Sequence, residues 1–511
     1  MTNFEPIAIT PKDTYNQQLL AHVHPSDWIN PQPADMYDLV VIGAGTAGLV
    51  VAAGAAGLGL GLKVALVERH LMGGDCLNFG CVPSKTIIRS ARVIGEIWSG
   101  RELGIDVGQI EINFGAVMER MRRIRSNISH HDSAIRFREL GVDVFLGNGQ
   151  FTNNNTVTLG DLPLKFKKAV IATGARANIP QIPGLLGTGY LTNETVFSLV
   201  DRPQRLAIIG GGPIGCELAQ TFQRLGCEVT LIHRHSHILN KEDPDAAEVL
   251  QQILIKEGVN LILDSELQQV NSTPAGKMIS YVQNGQIGNI VVDEILLGAG
   301  RKPNIESLNL GAVGVASDPQ GIQVNDYLQT TNSRIYAAGD VCLKWQFTHA
   351  ADAAARIVIK NTLFSPFGLG KSKLSSLVMP WVTYTSPEIA HVGLSVADAT
   401  QQGIEFETIK ILMANVDRAI TDGETQGFLK IIHRRGTDEI LGATIVASHG
   451  GEMISEITTA IVNKIGLSKL SSVIHPYPTQ ADAIKKAADA YRRKLLTPRT
   501  KKILGLLTKF S

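Results

Sequence analysis

At 511 residues, the chain is too long for one ordinary hydrophobic core, so two to four domains are expected. Its apolar fraction of 44%, charged fraction of 19% and 50 glycines argue against a disordered or fibrous protein and are typical of a globular α/β protein. A formal net charge of +1 provides no overall field that would attract nucleic acid or an anionic membrane. Five scattered cysteines are too few for a secreted disulfide framework, and the first residues do not resemble a secretion signal. We therefore expect a cytoplasmic, globular enzyme.

The first clear structural pattern follows an irregular N-terminal segment. Residues 1–36 are polar and show no sustained helical or strand period, so they are predicted to form an extension. The β-branched run Tyr37–Ile42 predicts a strand, and it is followed by a glycine-rich turn and a helix rich in Ala, Gly and Leu. A second strand is predicted over Lys63–Val67. Together these elements form a βαβ unit.

The turn of this unit carries a dinucleotide fingerprint, GAGTAG, at residues 43–48. Gly43 permits the tight turn, Gly45 lets the backbone approach a pyrophosphate, and Gly48 lets helix and strand pack closely. Amides at the start of the helix would hold the phosphates. Glu68, which follows the second strand, is expected to accept hydrogen bonds from an adenosine ribose. The alternative is a glycine-rich turn with a purely structural role.

The next segment contains two closely spaced cysteines. Cys76 and Cys81 are separated by a short loop that includes Gly80, so their Cα atoms can come within the roughly 7 Å limit for a disulfide. Pro83 is typical of a first helical turn, which places Cys81 at the positive end of the helix that follows. The helix amides, with Lys85 nearby, would stabilise a thiolate. The alternatives are an incidental pair of thiols or half of a zinc site, and no second matching cysteine pair exists. The segment therefore predicts a redox-active pair.

A second βαβ pattern spans Arg205 to Ile232 and contains GGGPIG at residues 210–215. Its fingerprint positions are Gly210, Gly212 and Gly215. Two such units imply two bound dinucleotides. Where the first unit has Glu68, the second has His233 and Arg234 and no carboxylate that would repel a 2′-phosphate. NADPH is therefore predicted in preference to NADH, the alternative being that these are solvated basic residues after a strand.

The pattern changes after Ser376, where strand-like segments and a late helix predict a separate α+β domain. The tail Arg492–Ser511 mixes Lys and Arg with Leu, Ile and Phe at roughly helical spacing. It predicts an amphipathic helix. Packing of this helix on the protein body is preferred over contact with a membrane.

These motifs together resemble the class I pyridine nucleotide-disulfide oxidoreductases, the group of glutathione reductase, dihydrolipoamide dehydrogenase and mercuric reductase. The resemblance covers Tyr37 to about Tyr491 and includes further motifs in family order: Ala172-Thr173-Gly174, Gly300-Arg301-Lys302-Pro303-Asn304, Ala338-Gly339-Asp340 and Thr385-Ser386-Pro387-Glu388. It implies an α/β fold with two Rossmann-like dinucleotide-binding domains, for FAD and NAD(P), and a C-terminal α+β dimerisation domain. The predicted boundaries are an extension (1–36), an FAD-binding domain in two parts (37–185 and 304–375), an NAD(P)-binding domain (186–303), an interface domain (376–491) and a basic amphipathic tail (492–511).

The resemblance also implies roles for individual residues. Asp340 would hold the ribityl chain of FAD, and Thr173, Gly174 and Gly300 would contribute to cofactor binding. Lys85 would pair with Glu217 near flavin N5. Cys81 would lie against the flavin and Cys76 would attack the substrate. The expected assembly is a homodimer.

One stretch near the C-terminus departs from the disulfide-reducing members of the family, which use a His before Pro-Thr, followed by Glu, as acid and base. In this chain Tyr477 occupies the His position and Asp482 the Glu position. A tyrosine, with an ordinary pKa of about 10, is a poor general base near neutrality. His475, two residues earlier, is expected either to compensate or to have a structural role. In the homodimer, Tyr477 would reach the partner's Cys76.

Mercuric reductases resemble this chain in having Tyr at that position, which suits the binding of a soft metal ion by thiolates. Those enzymes also use a C-terminal vicinal cysteine pair, which is absent from this sequence. No resident metal site is predicted. The leading prediction is FAD- and NADPH-dependent reduction of a thiol-reactive acceptor, Hg(II) above all, bound at Cys76 and Cys81. The alternatives are a disulfide reductase of the dihydrolipoamide dehydrogenase or glutathione reductase type, and a redox-sensing or partner-binding flavoprotein.

Overall fold

A helix precedes the first strand in the computed structural model, which describes residues 7 and 9–509. Helix α1 (Thr14–Val23) begins where the Asp13 side chain accepts a hydrogen bond from the amide of Asn16, and Leu19 and Val23 are fully buried. The prediction of an extension without regular structure is therefore wrong over this part of residues 1–36. Only three side chains of α1 are buried and one of them is the polar Asn16, so no apolar period was visible. Residues 1–6 and 8 of the predicted extension lie outside the described residues.

The first nucleotide-binding region is a parallel sheet with a β-meander at one edge. Its elements are β1 (Tyr37–Ile42), α2 (Thr46–Ala56), β2 (Val64–Glu68), α3 (Gly74–Asn78), α4 (Cys81–Ser99), α5 (Phe114–Ser129), α6 (Ala134–Glu139), β3 (Val142–Leu146), β4 (Gly149–Asn153), β5 (Thr156–Leu159), β6 (Leu162–Ile171) and β7 (Ala175–Ala177). Strands β3, β2, β1 and β6 pair in parallel, and β6, β5 and β4 form the antiparallel meander. The predicted strand Tyr37–Ile42 is confirmed, and the second predicted strand is shifted by one residue so that Glu68 is its last member.

The second nucleotide-binding region repeats the parallel arrangement. Its elements are α7 (Leu185–Thr188), β8 (Arg205–Ile209), α8 (Pro213–Arg224), β9 (Glu228–Ile232), α9 (Pro244–Lys256), β10 (Asn260–Ile262), β11 (Ser265–Thr273), β12 (Gly276–Gln283), β13 (Gln286–Val292) and β14 (Glu294–Leu297). Strands β10, β9, β8 and β14 pair in parallel in that order, and β11 to β13 form a separate antiparallel sheet. The predicted βαβ unit from Arg205 to Ile232 is confirmed.

The chain then returns to the first region. The returning elements are β15 (Arg301–Pro303), β16 (Ser317–Asp318), β17 (Gly321–Ile322), β18 (Ile335–Ala337) and α10 (Thr348–Leu363). Strand β15 pairs with β7, and β18 joins the first parallel sheet beside β6. Helix α10 packs along α2, where a Cβ atom at Gly54 would lie 2.5 Å from Ile359. The first nucleotide-binding region is thus assembled from two separate stretches of chain.

The C-terminal region is an antiparallel sheet covered by helices. Its elements are β19 (Pro380–Thr383), β20 (Glu388–Gly393), α11 (Val396–Gln401), β21 (Phe406–Leu412), α12 (Asp417–Thr421), β22 (Phe428–Arg434), β23 (Ile440–Ala447), α13 (Gly450–Val462), α14 (Leu467–Leu470) and α15 (Asp482–Lys494). The strand order is β19-β20-β23-β22-β21. These three regions give the α/β fold with two dinucleotide-binding domains and an α+β domain that the sequence predicted.

A last helix, α16 (Pro498–Leu507), lies in the basic tail. The tail is helical as predicted, but none of the residues of α16 is buried, so the preferred packing of this helix on the protein body is not found. Its four large apolar residues, Ile503, Leu504, Leu506 and Leu507, follow Lys501 and Lys502 and are all exposed. Residues 510 and 511 lie outside the described residues. No helix within the described ranges combines the length and apolar character needed to cross a membrane.

Candidate active site

The first fingerprint forms a bare backbone cradle at the start of α2. Gly43 has a φ of +102°, and a Cβ atom there would lie 2.3 Å from the carbonyl oxygen of Ala172. A Cβ atom at Gly48 would lie 1.7 Å from the carbonyl oxygen of Gly43, so only glycine allows α2 to approach β1 this closely. Gly45 provides no side-chain cap, which leaves the first amides of α2 available to an anion. This geometry fits the pyrophosphate of a dinucleotide.

Glu68 lies beside this cradle at the end of β2 and is buried. Its carboxylate accepts hydrogen bonds from the amides of Ala44, at 2.6 Å, and His70, at 2.7 Å. Burial raises the pKa of Glu68, while these two amides favour its ionised form. A carboxylate has about four acceptor positions, so positions remain for ribose hydroxyl groups. A cleft lined by Gly43, Glu68 and Thr173 opens at this point, and together these residues fit the adenosine end of FAD.

The two cysteines lie next to the same cradle. A Cβ atom at Gly74 would lie 2.6 Å from the Cα atom of Gly45, so the cysteine segment contacts the fingerprint directly. Cys76 is in the short helix α3, and Cys81 is the first residue of the 19-residue helix α4. Both cysteines are in the thiol form in this structure. Cys81 therefore lies at the N-terminal end of α4, where the helix dipole favours a negative charge.

The surroundings of the two thiols shift their pKa values in opposite directions. A hydrogen bond from Cys76 lowers the pKa of the Cys81 thiol, against the opposing effect of burial. The hydroxyl group of Thr348, 3.2 Å from the Cys81 sulfur, and the charge of Lys85 lower this pKa further. The same hydrogen bond and burial raise the pKa of Cys76. These effects favour the thiolate form at Cys81 and the protonated form at Cys76.

An ion pair follows one helical turn after Cys81. Lys85 Nζ donates a hydrogen bond of 2.8 Å to Glu217, whose second oxygen accepts from the amide of Tyr384 at 2.9 Å. Burial alone would lower the pKa of Lys85, and Glu217 more than offsets this, so the ammonium form is favoured. Lys85 Nζ also lies 4.6 Å from the centre of the Tyr384 ring. The pair places a fixed cation beside the redox segment, and Tyr384 is a contributor that the sequence patterns did not indicate.

Asp340 lies in a second ion-pair network with Arg301 and Asp75. Burial raises the pKa of Asp340 to about 6, although Arg301, at 3.3 Å, opposes this rise. Arg301 also donates to Asp75, the residue before Cys76. The network connects the β15 segment with the cysteine segment. Arg301 lies in the Gly300-to-Asn304 motif. Its contact with Asp75 could not be predicted from the sequence, because the two residues are far apart along the chain.

Thr173, Gly174 and Gly300 meet where β7 and β15 run side by side. The Thr173 hydroxyl donates to the carbonyl oxygen of Asn304 at 2.7 Å, and the amide of Asn304 donates to the carbonyl oxygen of Gly174 at 3.0 Å. The carbonyl oxygen of Gly300 accepts from the amide of Asn178 at 2.9 Å. These residues hold together the two chain segments that pass between the nucleotide-binding regions.

The N-terminal helix α1 is connected to the cysteine segment by Arg125 and by a backbone hydrogen bond. Arg125, only 2% exposed, donates to the carbonyl oxygen of Asn78 at 2.8 Å and to the side chain of Asn16 at 2.7 Å. Burial lowers the pKa of this guanidinium to about 10. The amide of Met72 donates to the carbonyl oxygen of Val23. Part of the predicted extension is therefore built into the support of the redox segment.

The second fingerprint reproduces the backbone geometry of the first. Gly210 has a φ of +116°, and a Cβ atom at Gly215 would lie 1.9 Å from the carbonyl oxygen of Gly210. Gly212 precedes α8 and provides no side-chain cap. The two cradles thus leave similar helix ends open to phosphate groups.

His233 and Arg234 differ in environment. The buried ring of His233 accepts a hydrogen bond from the amide of Gly211 at 3.0 Å. Burial, followed by the charges of His235 and Arg234, lowers the pKa of His233 to about 4, so this ring is neutral near pH 7. Through this hydrogen bond, His233 contacts the fingerprint turn directly. Arg234 is exposed and is therefore the cation available at the end of β9.

The C-terminal candidates contact other residues of their own region within one chain. The Tyr477 side chain is 74% exposed, and its hydroxyl group donates to Asp417 at 2.9 Å. His475 donates to Glu456 at 3.0 Å, and its side chain is only 6% exposed. Asp482 lies 3.5 Å from Lys486. Tyr477 is thus presented to the surface, whereas His475 is held inside its own subunit.

Comparison with known proteins identifies the family. Residues 37–355 match the family described as "Pyridine nucleotide-disulphide oxidoreductase", and residues 379–488 match its dimerisation domain. The chain belongs to this family. Its members are flavoproteins that use a pyridine nucleotide, and the oxidoreductase assignment predicted from the motifs is confirmed at this level. Within residues 7 and 9–509, no group of three or more His, Cys, Asp or Glu residues is arranged to hold a metal ion.

Three relatives indicate the range of activities within the family. Mercuric reductase from Staphylococcus aureus is 36% identical over 453 residues, which cover 88% of this chain and 82% of that protein. Dihydrolipoyl dehydrogenase from Chlamydia muridarum (strain MoPn / Nigg) is 33% identical over 460 residues, covering 89% and 96% of the two chains. The HOCl-induced flavoprotein disulfide reductase RclA from Escherichia coli has a TM-score of 0.79 at 27% identity, covering 89% and 99%.

Proposed function

We propose that the protein is a homodimeric, NADPH-dependent flavoenzyme that passes electrons to the Cys76–Cys81 pair and from there to Hg(II) or another thiol-reactive acceptor. Bound FAD would supply the two-electron chemistry that connects the nicotinamide to the cysteine pair. The observation that carries the choice of acceptor is at position 477, where an exposed tyrosine replaces the acid/base histidine of disulfide-reducing members. A soft metal ion bound by thiolates needs no such proton donor.

In this proposal, the residues of the chain orient the cysteine pair and set its charge. Cys81, at the N-terminal end of α4, would be the thiolate stabilised by Cys76, Thr348 and Lys85. Cys76 is the thiol that exchanges with the acceptor. Lys85, held by Glu217, would place its ammonium group beside the flavin, and Asp340 would hold the ribityl chain. The dimerisation domain supports a homodimer. In this homodimer, Tyr477 would approach the partner's Cys76.

NADPH is proposed as the electron donor because Arg234 is the exposed cation at the end of β9. A guanidinium group can donate charge-assisted hydrogen bonds to a 2′-phosphate. His233 is neutral and committed to Gly211, so it adds no charge. In an Arg234→Glu variant, the KM for NADPH should rise about tenfold while that for NADH changes little. An unchanged preference for NADPH would refute this assignment.

A disulfide acceptor is the second candidate, and one observation favours it. The chain matches 96% of the length of the dihydrolipoyl dehydrogenase from Chlamydia muridarum but 82% of the mercuric reductase from Staphylococcus aureus. A metal-ion acceptor gains support from a structural relative, RclA, which has been solved as a Cu(II) complex with a TM-score of 0.79. A redox-sensing or partner-binding role would require that turnover with every acceptor be negligible.

Steady-state assays distinguish these candidates. NADPH oxidation is measured with Hg(II) in excess thiol, with oxidised glutathione and with lipoamide, each against the rate with oxygen alone. The proposal predicts that Hg(II) gives the highest rate and that Cys76→Ser removes it. A Tyr477→His variant is the matched control, since it restores the usual base and should favour the disulfide acceptors. A rate with Hg(II) no higher than the oxygen background would refute the proposal.

A further inference from the structure

Two glycine-rich loops with exposed apolar tips emerge at the same end of the molecule. Helices α2 and α10 run side by side in the same direction. At their N-terminal ends, a Cβ atom at Gly339 would lie 3.3 Å from Ala47 and 3.7 Å from Ala351. Near their C-terminal ends, Gly54 contacts Ile359. The loops that follow the two helices, residues 57–63 and 364–373, therefore begin at the same level.

The tips of both loops present large apolar side chains to solvent. In the first loop Leu58 is 51% exposed and Leu60 is 60% exposed. In the second loop Phe364 is 44%, Phe367 is 102% and Leu369 is 71% exposed. Single exposed apolar residues are common, but five on two adjacent loops form a surface that requires an explanation.

The backbone holds these side chains away from the body. Gly59 and Gly61 have φ values of +66° and +69°, and a Cβ atom at either would have no neighbour within 4 Å. Phe367 has a φ of +54°, which is unfavourable for a residue with a Cβ atom, yet its exposed side chain gains no packing within the chain. The conformation therefore presents the apolar side chains outward without an intramolecular benefit.

Basic residues surround the second loop. Lys371 and Lys373 place their Nζ atoms 5.4 and 6.0 Å from the centre of the Tyr327 ring. Lys371 and Arg334 are close enough to Lys168 to lower its pKa, after the larger effect of burial. Residues 46–67 and 353–373 contain no Asp or Glu. Two acidic residues border the loops and both are engaged. Asp38 accepts a hydrogen bond from the amide of Lys63 and pairs with Lys167, and Asp326 accepts from the amide and hydroxyl groups of Ser375.

We propose that these two loops, 57–63 and 364–373, dock the protein on an anionic lipid bilayer. Leucine and phenylalanine tips on glycine-flanked loops insert into the boundary between headgroups and acyl chains, and the lysines at the rim bind anionic headgroups. The five exposed side chains lie on two separate loops, and their apolar tips fit the interfacial layer of a bilayer. The loops belong to the first nucleotide-binding region and not to the dimerisation domain. This role is independent of the acceptor proposed above.

The test uses the full-length flavoprotein and sedimentation with vesicles of phosphatidylcholine, with or without phosphatidylglycerol. Binding is expected only to vesicles that contain phosphatidylglycerol, and it should weaken as salt is added. The variant Leu58→Ser/Leu60→Ser/Phe367→Ser/Leu369→Ser should lose at least about tenfold in binding. Its matched control is Ile29→Ser/Ile287→Ser, which changes equally exposed apolar residues elsewhere and should bind as the unmodified protein does. Retained flavin absorbance establishes that each variant is folded.

Three results would overturn the proposal. The first is no binding to phosphatidylglycerol vesicles by the unmodified protein. The second is full binding by the loop variant, together with loss of binding when residues 498–511 are deleted, which would assign the contact to the tail helix. The third is a change in oligomeric state in the loop variant at unchanged vesicle binding, which would assign the loops to a contact between copies of the chain.

Discussion

The flavin side and the acceptor side of the cysteine pair are built differently. On the flavin side, Cys81 is held by a helix end, a hydroxyl group and the Lys85–Glu217 pair. On the acceptor side, Tyr477 is exposed in the C-terminal region of the same chain. On the proposed function, this contrast predicts that close packing around Cys81 fixes the delivery of electrons to the pair. It also predicts that the choice of acceptor depends on a few exposed groups and on the second subunit.

The largest effect is expected from removing the exchanging thiol. In Cys76→Ser, turnover with every acceptor should fall by at least about a hundredfold, because the serine hydroxyl cannot replace the nucleophilic thiol. Reduction of the flavin by NADPH should remain close to normal, since Cys81 and Lys85 are unchanged. Stopped-flow absorbance measures flavin reduction separately from turnover. Equal loss of both rates would contradict the division between the two sides.

A smaller effect is expected from breaking the ion pair on the flavin side. Glu217→Gln leaves Lys85 without its partner and should lower the free energy of unfolding by about 1–3 kcal/mol. Thermal unfolding of the flavoprotein measures the change. The control is Glu96→Gln, which breaks an exposed pair with Arg89 and should have an effect near zero. Equal effects of the two substitutions would show that the Lys85–Glu217 pair contributes no more than a surface pair.

On the acceptor side, Tyr477→His should raise the rate with lipoamide or oxidised glutathione several-fold, because a base with an ordinary pKa near neutrality is restored. The rate with Hg(II) should fall or stay the same. Steady-state kinetics with each acceptor measures the ratio. A parallel rise with all acceptors would show that position 477 does not select among them.

The smallest effect is expected on the pKa of the Cys81 thiol when its hydrogen bond with Thr348 is removed. The hydrogen bonds and the charge near Cys81 place its pKa below that of a free thiol, so the thiolate persists at neutral pH and is lost as the pH falls through the lowered pKa. In Thr348→Val, one stabilising hydrogen bond is absent, and this midpoint should move upward by less than about one unit. Alkylation rates of the reduced protein as a function of pH, read for each cysteine by mass spectrometry, test this. A midpoint for Cys81 at or above that of Cys76 would reverse the assignment of the two thiols.

Local patterns were sufficient for the strands, the fingerprints and the helix that starts at Cys81, because turn glycines and Pro83 act over a few residues. They were not sufficient for Thr348 and Tyr384, which reach the cysteine segment from positions hundreds of residues away. The N-terminal helix was missed because a buried Asn16 interrupts its apolar pattern, although Asn16 and Arg125 are what connect it to the redox segment. His233, predicted to bind the cofactor, is buried and accepts a hydrogen bond from the amide of Gly211. Its contact with the cofactor stays a prediction.

The most direct test of the proposed chemistry is the amount of elemental mercury formed per NADPH oxidised, with Hg(II) supplied in excess thiol. Reduction of Hg(II) to the metal takes two electrons, the number that one NADPH provides, so the account predicts equal amounts of the two products and no mercury from the Cys76→Ser variant. NADPH oxidation without release of elemental mercury, or release that persists in the variant, would contradict it.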